Sequence, residues 1–293
     1  MARLKLNLEN NLDEDLRAIL IGQTDALIAG LQQALDGEVD EGVHEARKAA
    51  KKARAMLRLC RGTLGKKTYR QHNHFFRDAG RALSPLRDAT VLGEAMDKTL
   101  EHCDPPAQHE EALKTVAEPP EKTGEEETED RQTFIRIIAD CMEEKDRINE
   151  LEFPEDFEDL AEGFRKYYSR AAKLGKKCLS PKADAETFHE WRKRAKDVRY
   201  IMKTVEPLWP NVNKAFSKEV KKLTKIQGDL NDNYLLEENL PVNQETSEVD
   251  KGIERQREKL KARARFLGRK VFAESDDQFY ARQLRYWKAE RKD

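Results

Sequence analysis

Two histidines head matching runs of cations. His44-Glu45-x-Arg47-Lys48-x-Ala50-Lys51-x-x-Arg54 recurs as His189-Glu190-x-Arg192-Lys193-x-Ala195-Lys196-x-x-Arg199, every identical position displaced by 145 residues. At about 100° per residue on an α-helix, His44, Arg47, Lys48, Lys51, Arg54 and Arg58 fall within about 120° of arc. His189, Arg192, Lys193, Lys196, Arg199 and Lys203 repeat that face. Further cations recur at i, i+4, i+7 and i+11, as Arg70, His74, Arg77, Arg81 and as Lys214, Lys218, Lys221, Lys225. Like charges at i, i+4 cost a helix about 0.2–0.5 kcal/mol per pair, so such rows disfavour the bare fold. A solvated helix face usually mixes signs. Recurrence of these rows in type and spacing points instead to an anion that offsets the repulsion. Arginine grips phosphate oxygens in pairs and lysine supplies a compact charge, so mixed rows suit a chain of phosphates. A row of about 14 residues spans roughly 20 Å, the reach of a polymer rather than of one phosphate.

A repeated histidine could ligate a metal, act as a general base or contact an anion. HExxH is absent, because Lys48 and Lys193 stand where its second histidine would be, and the surrounding cations repel a divalent ion. Neither a nucleophile nor a carboxylate pair recurs beside the histidines, which disfavours general-base chemistry and leaves a helix N-terminal donor or a phosphate contact. No catalytic residue, metal or cofactor is expected. Glu45 and Glu190 read as first-turn acids that complement a helix dipole. Asp88 and Asp232 read as caps of a fourth helix or as partners that hold stripe arginines.

The elements that position these residues follow from composition and punctuation. The chain has 293 residues, 38% charged and 38% hydrophobic, with a mean hydropathy of −0.89; this resembles long solvated helices and indicates an all-α fold. Its net charge of −1 conceals segregation. Lysines and arginines dominate His44–Arg87 and His189–Lys225, whereas acids dominate the stretch from Gly93 to Leu160, so local fields decide which partners bind. Cys60, Cys103, Cys141 and Cys178 are scattered without a CxxC pair, which suggests neither a zinc site nor a disulfide framework and fits a reducing cytoplasm. The start lacks an apolar signal-peptide core and no run is long enough to span a membrane, so a soluble, cytoplasmic protein without membrane insertion is expected.

The repeat makes the chain a tandem duplication. In its first unit, helices are predicted near Glu9–Asp36, Glu41–Arg61, Lys67–Leu83 and Arg87–His102, with breaks at Gly37, Gly62–Gly65 and Ser84–Pro85. In its second, they are predicted near Glu155–Leu174, Asp184–Val205, Asn211–Gln227 and Asp229–Glu238, with stops at Gly175, Pro207–Pro210 and Gly228. Four helices per unit suggest two tandem four-helix bundles related by a pseudo-two-fold axis. Residues 1–102 then form the first repeat. Residues 103–130 form an acidic, proline-containing linker, and 131–293 the second repeat. A helix near Thr133–Ile148 precedes the second unit. A helix near Val249–Leu267 and an aromatic, basic tail that packs on the bundle finish the chain.

The residues Val43 to Lys48 with Lys51 and Arg54, Arg81 to Ala89, Phe188 to Lys196 with Arg199 and Tyr200, and Leu223 with Gly228 to Asp232 together resemble the CHAD domain, the conserved histidine α-helical domain. That resemblance extends over about residues 10–270. It implies two four-helix bundles around a pseudo-two-fold axis, a central basic channel that binds inorganic polyphosphate, and no catalytic centre. Such domains often stand beside a triphosphate-tunnel CYTH domain, for which this chain has no room. It therefore reads as a stand-alone module. Arg87 joins the candidate ligands, but Asn231 occupies its place in the second half, where the grip is expected to be weaker. Other polyanions would meet the same cations, and a protein that binds the phosphate backbone of nucleic acid is the alternative. Stacking aromatics are not interleaved in the stripes, which argues against base recognition. A phosphate-processing enzyme would need a carboxylate set for Mg²⁺ or a Gly-rich loop, and neither is visible.

Overall fold

The computed structural model describes residues 2–86, 123–239 and 247–290, and these are all helical or connecting, with no strand among them. In chain order the helices are α1 (Leu12–Leu35), α2 (Val39–Leu59), α3 (Arg61–Ala82), α4 (Gly124–Asn149), α5 (Phe157–Cys178), α6 (Ala185–Thr204), α7 (Pro210–Asn239), α8 (Ser247–Val271) and α9 (Asp276–Glu290). A 3₁₀ turn at Glu206–Leu208 joins α6 to α7.

Helix α1 presents Leu12, Leu16, Ile19, Leu20, Leu27, Leu31 and Ala34 at helical spacing, and all are buried. The chain reverses at Gly37, and α2 returns along α1 at very short range. A Cβ on Gly30 would stand 2.7 Å from the Ala46 nitrogen and the Gly42 oxygen, and one on Gly42 would stand 2.4 Å from the Gly30 oxygen. The buried alanines Ala46, Ala49, Ala50 and Ala53 keep the same face of α2 thin. Its opposite face is thereby left to the cations.

Helix α4 lies along α1 in the antiparallel sense. Arg131 donates to the carbonyl of Leu35 at 2.9 Å, and Arg17 donates to that of Asn149 at 2.5 Å, so each helix supplies an arginine to the other's unsatisfied C-terminal carbonyls. A buried contact of 2.6 Å between His72 Nδ1 and Glu144 Oε1 ties α3 to α4. Helix α5 connects the two halves: it packs on α2, α3, α6 and α9. The aromatic tail folds onto it as α9, with Trp287 stacked on Phe157 at 4.5 Å and Phe279 on Tyr168 at 4.3 Å.

Four expectations need correction. Gly175 does not stop a helix: it lies inside α5, where the Trp191 ring would come within 3.1 Å of an added Cβ. Gly228 does not separate two helices either, because α7 runs through it to Asn239. The second half therefore has one long helix, α7, where two were expected. Helix α4 starts at Gly124 rather than near Thr133. Thr123 caps it by accepting from the Glu126 nitrogen while the Glu126 side chain accepts from the Thr123 nitrogen, so residues 124–130, read as linker, are helical. This helix packs on α1 and α3, that is, on the first half. The expected helix Arg87–His102 and the remainder of the linker, to residue 122, lie outside the described residues.

Gly30→Ala is expected to push α1 and α2 apart and lower stability by about 1–3 kcal/mol, the cost of overpacking a closed interface. Urea unfolding measures it, and an unchanged midpoint would contradict the close approach.

Candidate functional site

Helices α2 and α6 carry the two histidine-led rows, and they pack against one another. Their contact is fixed by charge. Arg58 of α2 donates to Asp197 Oδ1 of α6 at 2.5 Å, and Arg194 donates to the other carboxylate oxygen at 2.7 Å. Asp197 is only 5% exposed. Burial pushes its carboxyl above the ordinary value, while Arg58 and Arg194 pull it back. Burial works most strongly against the charge on Arg58 too, but Asp197 together with Tyr167 and Tyr69 overcomes it and raises that guanidinium above its usual range. Arg58 is thus a structural cation rather than an available anion ligand.

Alongside this pair, cations from both halves converge. Lys196 of α6 is pushed down to about 7, first by burial and then by Arg192, Lys51 and Arg199, with Asp232 opposing. Lys51 is the α2 counterpart of Lys196 in the repeat, so the equivalent lysines of the two halves meet. Burial, then Lys48, lowers Lys52, which also feels Lys203 and Arg199. Burial, then Arg199, lowers Lys203, which feels Lys221 of α7 and Lys48. Burial, then Arg58, brings Arg54 to about 10, with Arg77 of α3 contributing. Arg192 is lowered by burial while Asp232 and Asp229 of α7 support its charge. Its guanidinium lies over Gly228, where an added Cβ would stand 3.1 Å from Nη2. This close approach is the reason α7 tolerates a glycine in mid-helix despite a cost of about 1 kcal/mol.

The two halves hold corresponding arginines in corresponding ways. Arg47 donates toward the carbonyls of Leu83 and Ser84 at 3.4 and 3.3 Å, at the end of α3, and Arg192 sits over the equivalent stretch of α7. Arg54 Nε donates to Asn73 at 3.2 Å, whereas the Nε atoms of Arg192 and Arg199 are buried with no hydrogen-bond partner among the described residues. His189 Nδ1 lies 2.5 Å from Asn231 Oδ1.

Neither histidine stands at a helix start. α2 begins at Val39 and α6 at Ala185, so His44 and His189 lie more than a turn inside, and the N-terminal donor role is excluded. Glu45 and Glu190 likewise lie past the first turn, where they accept from Lys48 at 2.5 Å and Lys193 at 2.6 Å. Asp232 does not cap a helix, because α7 is continuous there, and its charge supports Arg192 and Lys196 instead.

Among the outer rows, Arg77 pairs with its neighbour Asp78 at 2.7 Å, and His74 and Arg81 share the field of that acid. Arg70, Lys214, Lys218 and Lys225 are exposed on α3 and α7, and nothing among the described residues ties them to the cluster. Arg87 and Asp88 lie outside the described residues. Lys52 is the cation that the stripes miss. It lies off the arc of the row and aligns with Asp197 in the other copy, so the repeat gives no signal for it. Among the described residues no three His, Cys, Asp or Glu side chains converge as for a metal, and no helix is long and apolar enough to cross a membrane.

A row of depressed cations drawn from two helices can do one thing well: accept phosphate or a similar anion, whose charge restores the ordinary basicity of each group. Comparison with known families finds a match to the CHAD domain model over residues 18–241, from within α1 to just past α7. None of the curated proteins matches the chain.

The low pKa of Lys196 sets a pH signature. The unfolded chain holds this proton to its ordinary value of 10.5, and the folded chain releases it near 7. Between those values the unfolded state binds more protons, so stability rises with pH. An anion bound beside Lys196 reverses the preference and must bring a proton with it. Lys196→Met is expected to raise the melting temperature near pH 6 and to flatten its rise toward pH 9. If the variant keeps the wild-type slope, the dependence belongs to another group.

Proposed function

The chain belongs to the CHAD domain family, and from that premise we propose that it binds inorganic polyphosphate, without turning it over, in a basic channel along the α2–α6 seam. The observation that carries this reading is Lys196, held near pKa 7 among Arg192, Lys51 and Arg199 with cations from both halves around it. A fold that gathers like charge in a half-buried place is destabilised unless a polyanion occupies it. Lys51, Arg54, Arg192, Lys196 and Arg199 form the inner contacts. His44, Arg47, Lys48, His189, Lys193 and Lys203 extend them along the two helices, with Arg77 and Lys221 at the borders. In this reading an approximate two-fold axis passes through the seam and relates the halves. Support comes from the equivalent lysines Lys51 and Lys196 meeting, and from Arg47 and Arg192 reaching equivalent stretches of chain.

The side chains around the histidines favour binding over turnover. His189 is held by the amide of Asn231 rather than by a carboxylate that would make it a base. Purified protein with Mg²⁺ or Mn²⁺ is expected to leave polyphosphate, tripolyphosphate and ATP intact; hydrolysis that vanishes in His44→Ala or His189→Ala would overturn this. We place the protein in the cytoplasm, in keeping with the buried free thiols of Cys60, Cys141 and Cys178.

Affinity for polyphosphate is expected to fall steeply with salt, as counterions are released, and Arg54→Ala and Arg199→Ala should each weaken it by about 1–3 kcal/mol. Arg285→Ala on α9 should leave it unchanged. Competition at equal phosphate concentration separates the polyphosphate reading from a nucleic-acid one, because a seam lined on several sides admits a thin chain and not a duplex. Equal competition by duplex DNA would sink it.

A further inference from the structure

The repeat offset makes two contacts between α2 and α6 equivalent: it carries Arg58 onto Lys203 and Lys52 onto Asp197. The two positions have opposite electrostatic sense. On one flank of the crossing, Arg58 and Asp197 form the buried ion pair described above. On the other, Lys52 is buried at the α2–α6 interface and lies within the field of Lys203, cation beside cation. An aspartate stands at this position in the second copy and there makes a salt bridge, so a single acid at Lys52 would turn repulsion into attraction. The chain instead keeps a lysine that is 7% exposed and takes no hydrogen bond or ion pair among the described residues.

The neighbours do not relieve it. Lys48, Arg199 and Lys221 add to the charge around the Lys52–Lys203 contact. The two acids that face it are already engaged, Glu45 with Lys48 at 2.5 Å and Glu206 with Lys5 at 2.7 Å. Burial without a partner is costly for an ammonium group, and here two ammonium groups share the cost.

We propose that the Lys52–Lys203 flank is a dedicated phosphoryl site, filled by one end of the bound polyanion, whereas the Arg58–Asp197 flank is closed to ligand and serves as a pin. The inference rests on the polyphosphate reading and deepens it: the ligand sits off-centre, and two halves of common origin have diverged into one anchoring flank and one binding flank. Five cations meet two engaged acids, which suits a group bearing more than one negative charge. A phosphoryl group of an extended phosphate chain has that charge, and it is slim enough to reach between two lysines.

The test is calorimetric titration of the full chain with inorganic polyphosphate and with tripolyphosphate, read beside melting temperatures without ligand. Lys52→Met and Lys203→Met, which keep side-chain volume, should each weaken binding about tenfold and make its salt dependence shallower by about one ion. Lys52→Asp should do the same while raising the melting temperature, since it recreates the contact of the other flank. Lys222→Ala, an exposed lysine on α7 paired with Glu219, should change neither. If wild type binds polyphosphate and both methionine variants bind as tightly, the flank is not a site and the inference falls while the polyphosphate reading stands. If Lys52→Asp raises the melting temperature but leaves affinity intact, the lysine contact is mere repulsion and the inference also falls. If wild type binds no polyphosphate, the reading and the inference fall together.

Discussion

The contact between Arg58, Asp197 and Arg194 is the constraint on which the rest of this molecule depends. Two helices whose free faces carry rows of cations would separate if left to Coulomb repulsion. The carboxylate between two guanidiniums reverses the sign of the interaction at one place on their crossing. Burying such a group is expensive, and a buried ion pair often adds little net stability compared with apolar packing. Its value lies in geometry, since a dry carboxylate with two forked donors has few alternative arrangements. Apolar contacts reinforce it: Met56 of α2 accepts from Thr204 of α6 at 3.5 Å, and an added Cβ on Gly163 of α5 would lie 2.5 Å from the Leu59 carbonyl oxygen. With the crossing fixed, Lys196 stays buried beside cations of both helices, and its depressed basicity follows.

How far the sequence reveals this depends on which physical signal each feature uses. The helices that carry cations are legible, because 3.6-residue spacing and a repeated pattern are local properties. The meeting of the equivalent lysines is legible only through the repeat. Glycines mislead: Gly175 and Gly228 look like stops, yet each is small because something bulky lies against it, the Trp191 ring in one case and the Arg192 guanidinium in the other. Sequence offers no means to distinguish a glycine that ends a helix from one that makes room for a neighbour. The start of α4 could have been read from Thr123 and Glu126, whose spacing is that of a capping box, but the prolines and acids before it dominate the composition.

The cluster of cations was legible in outline, but not the different surroundings of its members. Arg58 and Lys203 occupy the same place in the repeat, and both belong to the basic rows. Only the tertiary contact separates them, since Arg58 meets an aspartate and Lys203 meets a lysine. The difference originates at positions 52 and 197, where the two copies carry opposite charges outside the recurring motif. Matching residues expose shared architecture, and here the electrostatic asymmetry arises from a mismatch.

The distribution of acids suggests how a polyanion would move into such a site. On the outer turns, Lys48 and Lys193 each hold a glutamate three residues back, in pairs that remain partly exposed. Exposed pairs of this kind are worth about 0–1 kcal/mol, so a phosphate can displace the glutamate at little cost. Toward the middle of the seam, burial strengthens whatever charge interaction forms there. Attraction therefore increases inward along the two helices. Under the polyphosphate reading, the weak outer pairs keep the empty protein from presenting a bare basic surface, and the buried inner cations supply the affinity. A seam in which every cation was paired would fold more readily and bind less. One with no outer acids would bind any polyanion it met, so placing glutamates at the rim, in both copies, favours a ligand thin enough to pass beyond them.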